Sequence, residues 1–134
     1  MLLLDSSAII TAIRQSFGIR SWVSHAAQRG EAVSTSAVVL FELWYGIMLS
    51  TERSRNVSAL EAFLAGGISV LPFNAEDAAT AGEIRAHLKA AATPIGPYDL
   101  LIAAQALRRD ATLVSDNLGE FRHVPRLKCI GWSA

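Results

Sequence analysis

The sequence predicts an α/β fold: one mostly parallel sheet of four or five strands with helices on both faces. Three observations lead there. Short strand-like runs recur at 2–4, 32–35, 68–71, 112–114 and 128–130, each too short for a helix. The segments between them have helical spacing and open on capping residues. The two kinds of segment alternate, which is the pattern of parallel strands joined by crossover helices.

The first run, Leu2-Leu3-Leu4, has no helical spacing and reads as a strand buried on both faces. It ends on Asp5-Ser6-Ser7, and Ser6 or Ser7 is expected to cap a helix over 8–14. Gly18 separates that helix from a second over 19–29, with Gly30 as its C-cap. After the strand at 32–35, Thr35 or Ser36 caps a long helix reaching about residue 50. A helix over 52–65 closes on Gly66-Gly67, and the strand at 68–71 stops at Pro72. Asn74 caps a helix over 75–91, and residues 92–96 form a loop. Pro97 opens the next helix, to about residue 109, at a position where its missing N–H does no harm. The strand at 112–114 follows, and 128–130 forms an edge strand.

A length of 134 residues is expected to make one domain, 1–134. Hydrophobic residues make up 51% and mean hydropathy is +0.33, which excludes a disordered chain and implies an apolar surface that meets a partner. Cys129 is the only cysteine, so disulfides and cysteine-held zinc are excluded. His25, His87 and His123 share no ligand spacing. No basic leader precedes the first strand, and Asp5 interrupts its apolar run, so no signal peptide is expected. The apolar stretch 37–49 is broken by Glu42 and is too short to span a bilayer. A cytoplasmic protein without membrane contact is therefore expected.

Formal net charge is zero, from 12 basic and 12 acidic residues, and does not by itself point to nucleic acid. Four acids carry more information. Asp5 ends the first strand, and ligands of open α/β sheets bind at that edge. Asp116 ends the strand at 112–114 in the same way, and neighbouring strands lie about 4.8 Å apart. Asp99 falls in the first turn of a helix that runs back from the same edge. Glu42 stands on a helix beside Val38, Val39, Tyr45 and Gly46, where a carboxylate suffers desolvation unless a cation meets it. Each acid alone could be a turn or cap residue. Together they form a hard-oxygen set suited to Mg²⁺, or Mn²⁺, and to phosphodiester hydrolysis by metal-activated water. With the four set aside, the rest of the chain carries +4. Arg85, Lys89, Arg108, Arg109, Arg122, Arg126 and Lys128 are then either a solvated face or a rim that contacts phosphates.

The motifs Leu4-Asp5-Ser6-Ser7, Phe41-Glu42-Leu43, Gly96-Pro97-Tyr98-Asp99-Leu100-Leu101-Ile102-Ala103-Ala104 and Thr112-Leu113-Val114-Ser115-Asp116-Asn117, with Glu120-Phe121 behind them, resemble the PIN-domain ribonucleases. Within these the pattern is most similar to the VapC-type toxins of toxin–antitoxin pairs. The resemblance implies a three-layer α/β/α fold and a Mg²⁺-dependent endoribonuclease acting on structured RNA, tRNA or rRNA. It also implies a homodimer held inactive by a VapB-type antitoxin, which would enter a groove near the first two helices. The homodimer is expected to use faces near 41–47 or 61–64. Asp5, Glu42 and Asp99 match the family's metal-binding acids. The family pattern of Thr or Ser, any residue, then Asp or Asn aligns Ser115 and Asn117, while charge favours Asp116. If the strand ends early enough to turn Asp116 inward, it is the fourth site residue, with Asn117 the alternative.

Two other enzyme or signalling classes fit less well. A haloacid-dehalogenase-like phosphatase needs an acid where Ser7 stands. A receiver-like module needs a Lys after a late strand, and Lys128 begins one instead. A non-catalytic interaction module, with the acids as caps, would show no response to Mg²⁺.

Overall fold

Leu2–Leu4 forms β1, the central strand, and all three leucines are buried. The structure is a computed structural model that describes residues 1–14 and 17–132. The chain continues through α1 (Ser6–Ile13), α2 (Phe17–Gln28), β2 (Val33–Ser36), α3 (Ala37–Leu49), α4 (Arg53–Leu64) and β3 (Ser69–Leu71). It then forms α5 (Ala75–Ala90), α6 (Pro97–Arg108), β4 (Thr112–Val114), α7 (Leu118–Phe121) and β5 (Lys128–Ile130). Five strands pair in the order β3-β2-β1-β4-β5, every pair parallel. Among the described residues no helix is long and apolar enough to cross a membrane.

The expected elements form, with a few corrections, the first being that α2 starts at Phe17, so Gly18 lies inside that helix instead of before it. Asp5 itself caps α1, its carboxylate accepting from the Ser6 N–H at 2.8 Å, so the helix starts at Ser6 instead of after a serine cap. The short helix α7 was not expected; four residues are too few for a periodic signal. Ser36 caps α3, and Asn74 with Asp77 forms a capping box on α5. Gly30 and Gly67 take φ of +79° and +92°, which suits a residue without a side chain after a helix or turn.

Strand order explains where a site can form. From β1 the chain moves outward to β2 and β3, then returns past β1 to β4 and β5. With right-handed crossovers, that reversal puts α5 and α6 on the face opposite α1 to α4. The two directions diverge between β1 and β4, and a crevice opens beyond their carboxyl ends.

β2 reads Val-Ser-Thr-Ser, yet all four residues are buried. Their hydroxyls are satisfied across the sheet: Ser34 donates to the Leu2 carbonyl at 2.9 Å and Thr35 to the Leu4 carbonyl at 2.8 Å. A second polar cluster joins the antiparallel pair α5 and α6. Asp77 is fully buried and accepts from Arg108 at 2.6 Å and from Arg109 at 2.9 Å. An acid at one helix's start thus meets cations at the other's end, which suits both helix dipoles. Burial raises the Asp77 pKa, but hydrogen bonds from Arg109, the Asn74 N–H and Arg108 outweigh it and hold the carboxyl below its ordinary value. Arg108 and Arg109 are therefore structural cations, and Lys128 pairs with Asp110 at 3.0 Å. Those three leave the expected phosphate rim; Arg85, Lys89, Arg122 and Arg126 have no ion pair among the described residues.

Removing Asp77 leaves two arginines facing a buried gap. Asp77→Asn should cost about 2–4 kcal/mol at neutral pH. Because the folded pKa lies below the unfolded one, the stabilisation is complete above about pH 4 and is lost as pH falls through the folded value. Urea unfolding of both proteins at neutral pH and near pH 3 checks this: the gap between them should narrow in acid. A gap independent of pH would contradict the account.

Candidate active site

The crevice beyond β1 and β4 collects the acids. Asp5 follows β1 and is buried, 4% exposed. One carboxylate oxygen accepts from the Ser6 N–H at 2.8 Å and the other from Ser115 Oγ at 2.6 Å. Ser115 follows β4 and is itself buried. The register that sets Leu4 against Val114 therefore brings Asp5 and Ser115 together. Burial raises the Asp5 pKa, and the Asp116 charge adds to this, while the hydrogen bonds from Ser115 and Ser6 oppose it.

Asp99 stands in the first turn of α6, after Gly96 and Pro97. Its carboxylate accepts from the Asn117 side-chain amide at 2.9 Å. The same amide nitrogen donates to Glu120 at 2.6 Å. Burial, then the charge of Asp5, then Glu120 and Glu42 push the Asp99 pKa up to about 7. Glu42 lies in the middle of α3, half-buried, with Oε1 buried and without a hydrogen-bond partner among the described residues. Burial and the Asp5 charge raise its pKa as well. The field of Asp5 reaches even Cys129 on β5, whose thiol burial and that charge push up to about 11, so it is an inert sulfur.

Glu42 thus feels the charge of Asp5, and Asp99 feels those of Asp5 and Glu42. The expectation that Asp116 turns inward is not met. β4 ends at Val114, Ser115 points in, and the next residue points out. Asp116 is exposed, and its backbone N–H donates to Ser7 Oγ at 3.2 Å. Asn117 takes the inward position, its N–H bound to Ser115 Oγ at 3.0 Å. Asp116 still acts on Asp5 through its charge. Glu120 was not singled out as a site residue from the sequence. Its spacing from Asn117, one turn of helix, was the available signal.

Among the described residues no three acids, histidines or cysteines converge as a ready-made cage. The donor set nevertheless fits a hard divalent cation. It offers only oxygens, it concentrates mutually repelling carboxylates, and it leaves Glu42 Oε1 buried without a donor. Mg²⁺ keeps several waters and takes one or two direct carboxylates, so a closed cage is not required.

Acids at the switch point of an all-parallel five-stranded sheet, Asp5 buried and Glu42 and Asp99 half-buried, define the class. The family model described as PIN domain matches residues 2–127, and the chain belongs to the PIN-domain family. Within that family it stands among the VapC ribonucleases. Ribonuclease VapC2 of Rickettsia felis is 36% identical over 104 residues, 78% of this chain and 77% of the relative. The tRNA(fMet)-specific endonuclease VapC of Salmonella typhimurium is 37% identical over 97 residues, 72% of this chain and 73% of the relative. The crystal structure of VapBC2 from Rickettsia felis bound to a promoter DNA fragment superposes with a TM-score of 0.93, at 31% identity and 98% coverage of both chains.

The raised Asp99 pKa carries a stability consequence. Folded Asp99 keeps its proton to about pH 7, whereas an unfolded aspartate releases it near pH 4. Between those values the folded state binds more protons, so stability falls as pH rises through the window. Without divalent cations, Asp99→Asn should therefore be more stable than the unsubstituted protein at pH 8, by about 1–3 kcal/mol. Urea unfolding in EDTA measures it; a variant of equal or lower stability would show that Asp99 is not under this strain.

Proposed function

We propose that this protein is the toxin of a VapBC-type pair and cleaves structured RNA endonucleolytically, with Mg²⁺ held by Asp5, Glu42 and Asp99. The observation that carries the reading is the set of acids at the switch point of the sheet, buried Asp5 with half-buried Asp99 and Glu42, whose Oε1 lacks a donor among the described residues. Mn²⁺ is an acceptable substitute for the same oxygen ligands. A bound divalent cation supplies Lewis acidity, which acidifies water and offsets phosphate charge.

The chain's own residues define the rest. Ser115 and the Ser6 N–H fix the orientation of the Asp5 carboxylate. The Asn117 amide bridges Asp99 and Glu120 and orients both, and we assign it the fourth position in place of Asp116. Asp116 remains an outer acid at the rim. A relative specific for tRNA(fMet), 37% identical, supports a tRNA as the structured substrate.

Two surfaces support partners. A groove of about 500 Å³ runs between α1, α3 and α4, lined by Ile10, Ile13, Leu43, Ile47 and Leu60. Ser6 and Glu42 also line it, beside the acids, so an apolar antitoxin segment in it could place a basic side chain among them. α4 forms one wall of this groove and α2 does not, a refinement of the expected position near the first two helices. The homodimer face is α3. Phe41, Trp44, Tyr45, Met48 and Leu49 are 36% to 69% exposed and form one stripe at helical spacing. At 61–64, Phe63 and Leu64 instead pack against the core.

Purified protein should cut tRNA at discrete positions in Mg²⁺, and Asp99→Asn should abolish cutting and growth arrest while retaining its circular dichroism spectrum. Asn117→Ala should reduce cleavage more than Asp116→Asn. Full activity in folded Asp99→Asn, read by primer extension, would refute the assignment, and the reverse ranking of the other two would return the fourth position to Asp116. Light scattering at micromolar concentration should give a dimer, and Tyr45→Glu with Leu49→Glu a monomer. A dimer unchanged by that double substitution would place the interface elsewhere.

A further inference from the structure

The three acids stand on three separate elements: Asp5 on the β1–α1 junction, Glu42 on α3 and Asp99 on α6. Asp5 is placed by the sheet, through the parallel pairing of β1 and β4. Nothing in the sheet places Glu42 against Asp99. Their spacing depends on how α3 sits relative to α6.

Phe41 of α3 meets Tyr98 of α6 edge to face, their ring centroids 5.3 Å apart, and one buried polar side chain also connects those helices. Gln105 lies on α6, six residues beyond Asp99, and is 0% exposed. Its Oε1 accepts from Ser36 Oγ, and its Nε2 donates to the carbonyls of Pro72 at 3.2 Å and Leu71 at 3.4 Å. Ser36 is the N-cap of α3, its Oγ accepting from the Val38 N–H at 2.9 Å, and Glu42 lies six residues further along that helix. Among the described residues this is the one side-chain hydrogen bond between the α3 segment with its cap and α6.

The amide can hold only one orientation. Both carbonyls accept only, so they demand its NH₂ end. The Ser36 lone pair is engaged by Val38, so its proton needs the amide oxygen. Gln105 sits among Ala103, Ala104 and Ala106, all buried, where an aliphatic residue would fill the same space without polar requirements. At the other side, the Gln105 carbonyl accepts from Arg109 at 3.0 Å, which links it to Asp77 and α5.

We propose that Gln105 is a positioning residue. Through Ser36 and the end of β3 it sets the spacing of Glu42 and Asp99, and with it the grip of the acid cluster on a divalent cation. This rests on the reading of those acids as a cation site. Displacements well under 1 Å are enough to matter in such a constellation.

The test uses the full-length protein and Mn²⁺ alone as the probe. Gln105→Met keeps the length and bulk of the side chain and removes all three hydrogen bonds. It should weaken Mn²⁺ binding about fivefold or more by calorimetry, and lower kcat about tenfold with KM changed less than about twofold. Ile84→Ala, a buried truncation on α5, should lose stability while keeping Mn²⁺ affinity. If Gln105→Met does not fold, Ser36→Ala should show the same Mn²⁺ loss and Ser36→Thr, which keeps the hydroxyl, should restore it. Unsubstituted Mn²⁺ affinity in folded Gln105→Met or in Ser36→Ala overturns the proposal. So does an equal loss in Ile84→Ala, which would reduce the effect to general destabilisation. Failure of the cation reading itself shows separately, as Mn²⁺ binding that Asp99→Asn leaves unchanged, and it removes the basis of this proposal as well.

Discussion

A carboxylate buried at the end of the central strand is the constraint on which this structure turns. Asp5 is 4% exposed, directly behind three fully apolar residues. Burying a charge there is unfavourable unless donors meet it. The Ser6 N–H and the Ser115 hydroxyl do so, and each requires a particular piece of architecture. The first requires a helix that starts at once. The second requires β4 beside β1 in exact register. The return of the chain past β1, which creates the crevice, is thus coupled to the solvation of one side chain. The other acids then accumulate repulsion that the fold alone does not relieve, and Asp99 shows it most. Concentrated, mutually repelling carboxylates reduce stability in the free protein, and a bound cation is the compensation that the proposed function supplies.

Much of this was legible in the residues. The triple leucine announced a doubly buried strand, Ser36, Asn74 and Pro97 announced helix starts, and the alternation of segments announced parallel strands. Asp5, Glu42 and Asp99 stand out in the sequence because each sits at a strand end, a helix start or on an apolar helix, where a charge needs a reason. The buried polar pieces were not legible. Nothing local to Gln105 or Asp77 says that a carbonyl or an arginine some thirty residues away completes it. The four-residue α7 was too short to read, and Glu120 with it. Asp116 and Asn117 were separable only by the point at which β4 ends, since one residue more or less in a strand exchanges the inward and outward side chains.

The apolar character of the chain divides between its two uses. The core takes β1, β2 and β4, α6 and the inner faces of α1, α2 and α5. α3 is different: it is apolar almost all round, yet only Val39 and Leu43 are buried in it. The same helix carries Glu42 toward the acids, one wall of the apolar groove and an exposed aromatic stripe. The exposed stripe, the groove wall and Glu42 therefore share one rigid element. A partner that shifts α3 acts on Glu42 directly.

The central claim is that the acids at the switch point form a cation site. Anomalous scattering from a crystal of this protein soaked in Mn²⁺ tests it most directly. The account predicts a strong peak bounded by the carboxylates of Asp5, Glu42 and Asp99, with Asn117 close by. A peak elsewhere on the molecule, or none at an ion concentration that saturates binding in solution, would contradict it.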